Sequence, residues 1–312
     1  MKTKNLFGLG LLMIAVMIFI FASCSKDKTT TPTTSQTESM QQLTVDENNV
    51  VNASNQAVND AESVLSTGKL KSTESGPCNT TITIGGVVND TISIDINYHG
   101  LDCNNKVNRT GDVIVKKKYE EDWGQAGATV IVVMDNFKRT RVDNGKSLTL
   151  NGWKHFENVS GHYLYELGLD TTVTSVVHRV WGNITATFDD NTSKVWSLAR
   201  QDTYTGSLIA LVMTEDGFGT EPGYTNLTAW GTDRNGEQFY SSITQSVVYK
   251  QVCDYDPCSG IIFDQIPSAS KSATITFGYD SNNNPITNGD CPTRYRVDYI
   301  IGNKSGTLFL PL

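Results

Sequence analysis

Cys24 is the residue whose surroundings most clearly indicate a chemical modification. Two lysines stand at the start of the chain, an apolar run covers residues 6–21, and two small residues precede the cysteine. A charged start, an apolar middle and small residues before a cut are the features of an export signal. A cysteine directly after such a cut can accept a diacylglyceryl group on its thiol and an acyl chain on its new amine. We therefore expect residues 1–23 to be a lipoprotein signal peptide and Cys24 to carry the lipid.

The competing interpretation of this segment is an uncleaved signal-anchor helix. An apolar run that ends at residue 21 is short for a spanning helix, which needs about 20 apolar residues, and polar residues follow it directly. Two or more acyl chains anchor a protein stably, so palmitate-like chains on Cys24 would suffice. We expect the protein to lie in the cell envelope, anchored to the outer membrane on its periplasmic or its surface side.

Five further cysteines could form disulfides in an oxidising compartment. They are Cys78, Cys103, Cys253, Cys258 and Cys291. We expect Cys78 to bond to Cys103, because the segment between them is typical of a strand, a turn and a second strand. Cys291 has two possible partners, Cys253 and Cys258, and a bond between those two is a third possibility. The odd number leaves one thiol unpaired in a monomer.

The residue types needed for catalysis are present, but their spacing indicates no catalytic site. The four histidines form no pair with metal-ligand spacing, and no serine or cysteine stands in a nucleophile motif. Carboxylates occur in neighbouring positions in several predicted turns or strand ends: Glu120-Glu121-Asp122, Asp189-Asp190, Glu215-Asp216 and Asp254 with Asp256. Acidic residues are common in such turns. We expect no metal, no cofactor and no evident catalysis.

Aromatic side chains offer a different kind of chemistry, because an exposed ring can stack on a sugar. Trp181, Trp196 and Trp230 lie inside β-type runs, where packing in the core is the usual arrangement. Trp123 and Trp153 lie near predicted turns. We therefore predict that Trp123 and Trp153 are the exposed residues that could stack on a glycan.

The charge of the chain excludes some partners. The formal net charge is −8, and removal of Lys2 and Lys4 with the signal makes it −10. Such an acidic chain does not favour nucleic acid or an anionic lipid surface. The polar composition after the signal predicts a flexible tether over residues 24–43.

One helix is predicted over residues 44–68. Thr44 and Glu47 could cap its start, and Gly68 could end it. Its apolar stripe is thin and consists of residues at three-to-four spacing: Val51, Ser54, Val58, Ala61 and Leu65.

From about Cys78 to Leu312 the apolar pattern has a period of two, which predicts a single β domain over residues 70–312. Asn144-Gly145 and Asn235-Gly236 favour two-residue hairpin turns, and no stretch supplies the crossover helices of a parallel sheet. We read residues 217–223 as one long loop. The predicted fold is all-β: an extended antiparallel meander, either a curled sheet or a two-layer sandwich, with one short N-terminal helix.

Several corners of the chain resemble a group of lipoproteins of unknown function common in Bacteroidota. The matching segments are Ile92 to Ile96, Leu101-Asp102-Cys103, Asn108 to Val115, Asp233-Arg234-Asn235-Gly236, Cys253, and Asn288-Gly289-Asp290-Cys291. The chain differs from the group in its extra Cys258 and in the loop before Cys291. The resemblance implies an elongated β-rich surface or periplasmic lipoprotein and transfers no active site.

Two functions are compatible with these observations. The first is a membrane-anchored, exported lipoprotein whose β-sheet scaffold has a structural or ligand-binding role. The alternative is a surface protein that binds glycans, or that hydrolyses them with a carboxylate pair. A row of exposed aromatic residues on one face would favour glycan binding, and two carboxylates converging in a cleft would favour hydrolysis.

Overall fold

The structure is a computed structural model that describes residues 77–312, apart from 208, 254 and 288, and part of an N-terminal helix. The helical residues described are 46, 49–51, 53–58, 60–61 and 64. Strands make up 63% of the residues that the structure describes, which confirms the prediction of an all-β fold with one short N-terminal helix. The predicted signal peptide, Cys24, the tether and the capping residues Thr44, Glu47 and Gly68 lie outside the described residues.

In the described part of the chain, fifteen strands form one antiparallel sheet. They are β1 (Thr80–Ile84), β2 (Thr91–Leu101), β3 (Val107–Lys118), β4 (Ala128–Arg141), β5 (Ser147–Asn158), β6 (Val176–Phe188), β7 (Ser193–Ser207), β8 (Ala210–Gly217), β9 (Gly219–Glu221), β10 (Tyr224–Thr232), β11 (Gln238–Lys250), β12 (Pro257–Ile266), β13 (Lys271–Tyr279), β14 (Arg294–Ile301) and β15 (Lys304–Pro311).

The sheet is a meander in which most strands pair with the next strand along the chain. The exception is in the middle, where β8 and β10 both pair with β7 and with β11. These four strands close a small four-stranded barrel within the long sheet. The prediction of one long loop at residues 217–223 is therefore wrong in part, because β9 lies there and pairs with β10.

The two ends of the sheet differ in their connections. At one end, which we call the turn end, no connection is longer than five residues: 102–106, 142–146, 189–192, 233–237, 267–270 and 302–303. The other end, the loop end, has connections at 85–90, 119–127, 159–175, 208–209, 251–256 and 280–293. Long connections are where binding and catalysis concentrate on a rigid scaffold.

The Asn-Gly turns at the turn end differ from the prediction. Gly145 and Gly236 have positive φ values of 70° and 78°, but their preceding asparagines do not, and each connection has five residues instead of two. In the second connection the Asp233 carboxylate accepts hydrogen bonds from the backbone N–H groups of Asn235 and Glu237. The aspartate therefore stabilises a wider turn than the dipeptide alone predicts.

The helix, which we call α1, lies across the strands on one face of the sheet. Its side chains at 50, 53, 54, 57, 58, 61 and 64 are buried, and they belong largely to one core with residues of β2 to β7. The predicted stripe is thus confirmed at Ser54, Val58 and Ala61. Val51 is only partly buried. The buried side of α1 is centred on Val50, Ala53 and Ala57, which the predicted stripe did not include, and Val51 lies at its edge.

Polar contacts fix α1 at three points along its length. Near its start, Asp46 accepts two hydrogen bonds from Arg234 at the turn end. Lys154 of β5 donates to Asn55 over 2.9 Å. Farther along, Asp60 is bonded to Tyr98 of β2 and Arg109 of β3. A helix advances about 21 Å from residue 46 to residue 60. The five strand spacings from β3 to β10 span roughly 24 Å, so α1 is long enough to cross these strands.

This packing makes the two faces of the sheet different. The covered face carries α1 and includes Ile96, Val113, Met134, Leu150 and Ile184, all at most 1% exposed. The loop-end part of this face is covered by the 159–175 connection, where Leu167 and Val173 pack with Val176 and Leu211. The opposite side of the sheet, the open face, has no such cover among the described residues.

Gly111 shows where the sheet is bent. It has φ of 90°, and a Cβ at this position would lie 2.1 Å from the backbone oxygen of Asn136 in β4. The β3–β4 register shifts between Thr110 and Asp112, as at a β-bulge.

We predict that Gly111→Ala lowers the free energy of unfolding by about 1–2 kcal/mol, because it adds both a clash and an unfavourable φ. Urea unfolding of the full-length protein measures the effect. Gly86→Ala is the control, because a Cβ at Gly86 meets nothing within 4 Å. Equal stability of the two variants would contradict the interpretation.

Two disulfides lie at opposite ends of the sheet. Cys78 is bonded to Cys103 near the turn end. Cys253 is bonded to Cys291, which joins the 251–256 and 280–293 connections at the loop end. Of the two partners that the sequence allows for Cys291, the structure therefore has Cys253. Cys258 is a free thiol whose pKa is raised by burial.

Candidate functional site

Three tryptophans lie on the open face, on strands β5, β6 and β10. Trp153 pairs with Asn183, Asn183 pairs with Ser197, and Ser197 pairs with Trp230. These four residues therefore form one row across the sheet. Trp181 lies in the next row, opposite His155. Residues paired in this way point to the same face. The open face thus carries an aromatic surface, which we define as Trp153, Trp181, Phe218 and Trp230.

Trp181 lies at the centre of the aromatic surface. The His155 ring stacks on it at 4.1 Å between centroids, and Phe218 meets it edge-on at 6.4 Å. The Arg179 guanidinium lies 5.4 Å over the Phe218 ring, and its Nε donates to Gln201. Desolvation by burial lowers the pKa of His155, so the imidazole is held in its neutral form.

A groove of about 490 Å³ runs over this surface. Its walls include the four aromatic residues together with polar side chains that can form hydrogen bonds: Glu157, Arg179, Ser197 and Thr220. The β9 hairpin supplies one wall, since Phe218 and Thr220 belong to that excursion between β8 and β10. A ligand on this groove would contact apolar rings and hydrogen-bonding groups at the same time.

A second shallow depression of about 550 Å³ adjoins the groove. Ile114, Ile131 and Val133 line it on strands β3 and β4, and Trp153 lines both hollows. Trp153 is 39% exposed and is therefore the ring most available to a ligand. The two hollows together extend the aromatic surface toward β3.

The two residues predicted to stack on a glycan are separated in the structure. Trp153 lies in the aromatic surface. Trp123 lies apart from it: its side chain is partly buried, and its ring packs against His178 at 5.3 Å between centroids. His178 is on the same side of β6 as the buried Val176 and Val180, which places Trp123 on the covered face.

Two tryptophans that the sequence assigned to the core belong to the aromatic surface. Trp196 is 5% exposed, as expected for a core residue. Trp181 and Trp230 are partly exposed and line the groove, so their assignment to the core is wrong. The signal that could have placed them is the alternation of side chains along a strand. Trp181 is an odd number of residues from the buried Val180 and Ile184, and Trp230 is next to the buried Ala229, so both point away from the core.

A group of charged side chains lies on the covered face between α1 and the loop-end connections. Asp202 of β7 is paired with Glu215 of β8, and Arg200 lies 3.5 Å from Asp202 and 3.6 Å from Glu215. Lys154 is 2% exposed, and the two carboxylate residues are 3% and 7% exposed. We call Lys154, Arg200, Asp202 and Glu215 the buried charge cluster.

Burial dominates the electrostatics of the cluster. It raises the pKa of Glu215 to about 7, against the opposing effect of Arg200. The pKa of Asp202 is also raised by desolvation, and that of Lys154 is lowered well below its usual value. His178 pairs with Asp202 across β6 and β7, and desolvation lowers its pKa to about 4. Neutral forms of these groups are therefore favoured more than in water.

Of the neighbouring carboxylates singled out in the sequence, Asp254 lies outside the described residues, and the other groups lie in separate connections or strands. Glu215 and Asp216 lie two residues and one residue before the end of β8, and they point to opposite faces. Asp216 accepts a hydrogen bond from Ser246. Asp280 accepts two backbone N–H groups within its own hairpin loop. Among the described residues, no three His, Cys, Asp or Glu side chains are grouped as metal ligands.

Comparison with known proteins gives no relative. No protein-family model, no curated protein and no solved structure matches the chain. In the part of the chain that the structure describes, no helix is both long and apolar enough to cross a membrane.

Proposed function

We propose that this protein is an exported lipoprotein, anchored through acylated Cys24, whose aromatic surface binds glycan chains. The observation that carries the binding role is the grouping of Trp153, Trp181, Phe218 and Trp230 along one groove of the open face. Sugar rings present apolar C–H faces and a rim of hydroxyl groups. Aromatic rings suit the former, and hydrogen-bonding side chains suit the latter.

The spacing of the surface favours a chain of sugars over a single sugar. Trp153 and Trp230 are three strand spacings apart, which is roughly 14 Å. Asn183 and Ser197 lie between them and are hydrogen-bonded to each other over 2.8 Å. A glycan that runs across the strands would therefore meet a ring, two polar side chains and a second ring in sequence.

The carboxylates beside the groove favour binding over hydrolysis, whereas the neighbouring Asp112 and Asp135 lie on β3 and β4, where Asp135 lines the adjoining depression. Glu157 and Asp216 lie in one row but are separated by Arg179 and Gln201. Their strands are roughly 14 Å apart, whereas the two carboxyl groups of a glycosidase lie about 5–9.5 Å apart. Asp202 and Glu215 are neighbours, but they are buried on the other face. The groove therefore has a binding surface without a suitable acid–base pair.

Binding can be tested with a glycan array followed by titration of the best oligosaccharide. We expect Trp181→Ala and Trp153→Ala each to weaken binding by about ten-fold, because each removes a stacking ring. Tyr119→Ala is the matched control, since Tyr119 is an aromatic residue 50% exposed outside the groove. Absence of any saturable glycan binding would contradict the proposal, as would equal loss with the control.

The anchor is tested separately by metabolic labelling with palmitate. We expect the label to co-purify with the protein and to disappear in Cys24→Ala, because the thiol is the attachment point. Label that persists in Cys24→Ala would contradict the anchor without affecting the binding role.

A further inference from the structure

The most exposed apolar side chains of the domain are concentrated at the loop end. Ile209 is 82% exposed, Leu169 76% and Val252 68%, and Tyr165 is 50% exposed. These four residues belong to the 159–175, 208–209 and 251–256 connections. We name them the loop cap. Single exposed apolar residues are ordinary on a protein surface, but a group of them indicates an interaction site.

The three connections of the loop cap are in contact with one another. Gly168 lies so close to Ser207 that a Cβ added to it would fall 2.7 Å from the Ser207 Cβ. The backbone N–H of Leu211 donates to the Gln251 side chain over 2.9 Å. Beneath them, Leu167 and Leu211 share a small core with Tyr255. The exposed residues are therefore held on one continuous support.

The support is also fixed to its neighbours. The Cys253–Cys291 disulfide joins it to the 280–293 connection. On the other side, Tyr163 donates a hydrogen bond to Asp122 in the 119–127 connection. A surface that is ordered before binding loses little conformational entropy when a partner docks.

The charge around the loop cap identifies the kind of partner. The 159–175, 208–209, 251–256 and 280–293 connections contain six Asp or Glu residues and no Lys or Arg. This acidic frame repels an anionic membrane surface. It also disfavours a second copy of this acidic chain. It attracts a surface on which basic side chains surround an apolar centre.

The position of the loop cap is consistent with a partner away from the anchor. The bond between Asp46 and Arg234 brings the start of α1 to the turn end. The first described residue of α1 therefore lies at the end of the sheet opposite the loop cap. With the anchor proposed above, a partner at the loop cap would lie at the far end of the domain from this residue.

We propose that the loop cap is a docking surface for a protein that carries an apolar patch framed by lysine or arginine residues. This interaction is independent of glycan binding, because the loop cap and the aromatic surface share no residue. The apolar side chains supply the contact, and the acidic frame supplies orientation and a fast encounter.

The test uses the purified mature protein and three synthetic peptides. Two are amphipathic, with a leucine face opposite a lysine or a glutamate face, and the third has serine in place of leucine opposite lysine. We expect measurable binding only of the leucine–lysine peptide, weakened by salt. The Leu169→Ser/Ile209→Ser variant should weaken it about ten-fold. Val142→Ser is the matched control, because Val142 is 58% exposed at the turn end.

Other outcomes would overturn the proposal. Equal binding of the serine–lysine peptide would show that charge alone acts, and an unchanged affinity of the double variant would show that the loop cap is not the contact. Binding of phosphatidylcholine vesicles that depends on Ile209 would indicate a lipid surface instead of a protein. Circular dichroism of the double variant checks that the sheet is retained.

Discussion

Replacement of Arg109 by Met is expected to lower the free energy of unfolding by about 3–5 kcal/mol, the range for breaking a buried ion pair. Arg109 is 2% exposed. Its Nη1 donates to the Asp60 carboxylate over 2.8 Å, and its Nη2 donates to the Cys78 carbonyl over 2.9 Å. The guanidinium also lies 4.8 Å over the Tyr98 ring. The variant would leave the Asp60 carboxylate beside Tyr98 without its closest cation.

Urea unfolding of the full-length protein measures this effect. Arg141→Met is the matched control, because Arg141 pairs with Asp143 in the same part of the sheet and both side chains are about 60% exposed. An exposed pair contributes about 0–1 kcal/mol. Loss of stability by the same amount in both variants would contradict the role of burial.

A double variant separates the ion pair from general packing. Arg109→Met combined with Asp60→Leu removes both charges, and replacement of a buried pair by apolar side chains is often close to neutral. We therefore expect the double variant to be more stable than Arg109→Met alone. A strictly additive loss would show that the two side chains do not act as a pair.

The fold could be predicted where the covered face is apolar. β2 alternates Ile94, Ile96 and Tyr98 on the buried side, and its partner strands follow the same period. The antiparallel order follows from this period and from the short connections. The small barrel of β7, β8, β10 and β11 could not be predicted, because its pairings join strands that are distant in sequence.

The pattern failed where charged residues occupy buried positions. The apolar alternation of β7 includes Trp196 and stops at Leu198, whereas the strand continues to Ser207. Arg200 and Asp202 stand at its covered-face positions and interrupt the apolar alternation. The alternation of β5 is interrupted in a similar way, since Lys154 takes a buried position after Leu148 and Leu150. Burial of these charges depends on partners from other strands and from α1.

The candidate site was predictable only in part. Trp153 was identified from its place near a turn, although it lies within β5. Trp181 and Trp230 can be placed on the open face only when it is known which alternate positions of their strands face the core. That depends on where α1 packs. The groove itself depends on the β9 hairpin, which brings Phe218 to Trp181.

Replacement of Glu215 by Gln is expected to change the pH dependence of stability. The pKa of Glu215 is about 7 in the folded protein because of burial, against an ordinary value of 4.5. Between these values the folded state binds a proton that the unfolded state has released, so stability falls as pH rises. His178, with a pKa of about 4 against 6.5, acts in the opposite direction, so stability rises over that interval.

Gln resembles the protonated form of Glu215 and does not titrate. The stability of Glu215→Gln relative to the natural protein should therefore increase between pH 5 and pH 8, by on the order of 3 kcal/mol. Asp202, whose pKa is also raised by desolvation, still opposes His178 in the variant. The variant should therefore lose less stability than the natural protein, or gain more, as pH rises from 4.5 to 7. Urea unfolding over this pH range measures both effects.

Glu120→Gln is the matched control, because Glu120 is exposed in the 119–127 connection, and its stability relative to the natural protein should stay constant. Parallel pH curves for Glu215→Gln and the natural protein would show that Arg200 fully compensates the carboxylate. That result would mean that the ion pairs of the cluster balance the cost of burial, so that burial does not raise the pKa of Glu215. A difference in stability that increases with pH would instead show that burial outweighs the ion pair. Arg200 lies 3.6 Å from Glu215 but is shared with Asp202, so it does not compensate Glu215 alone.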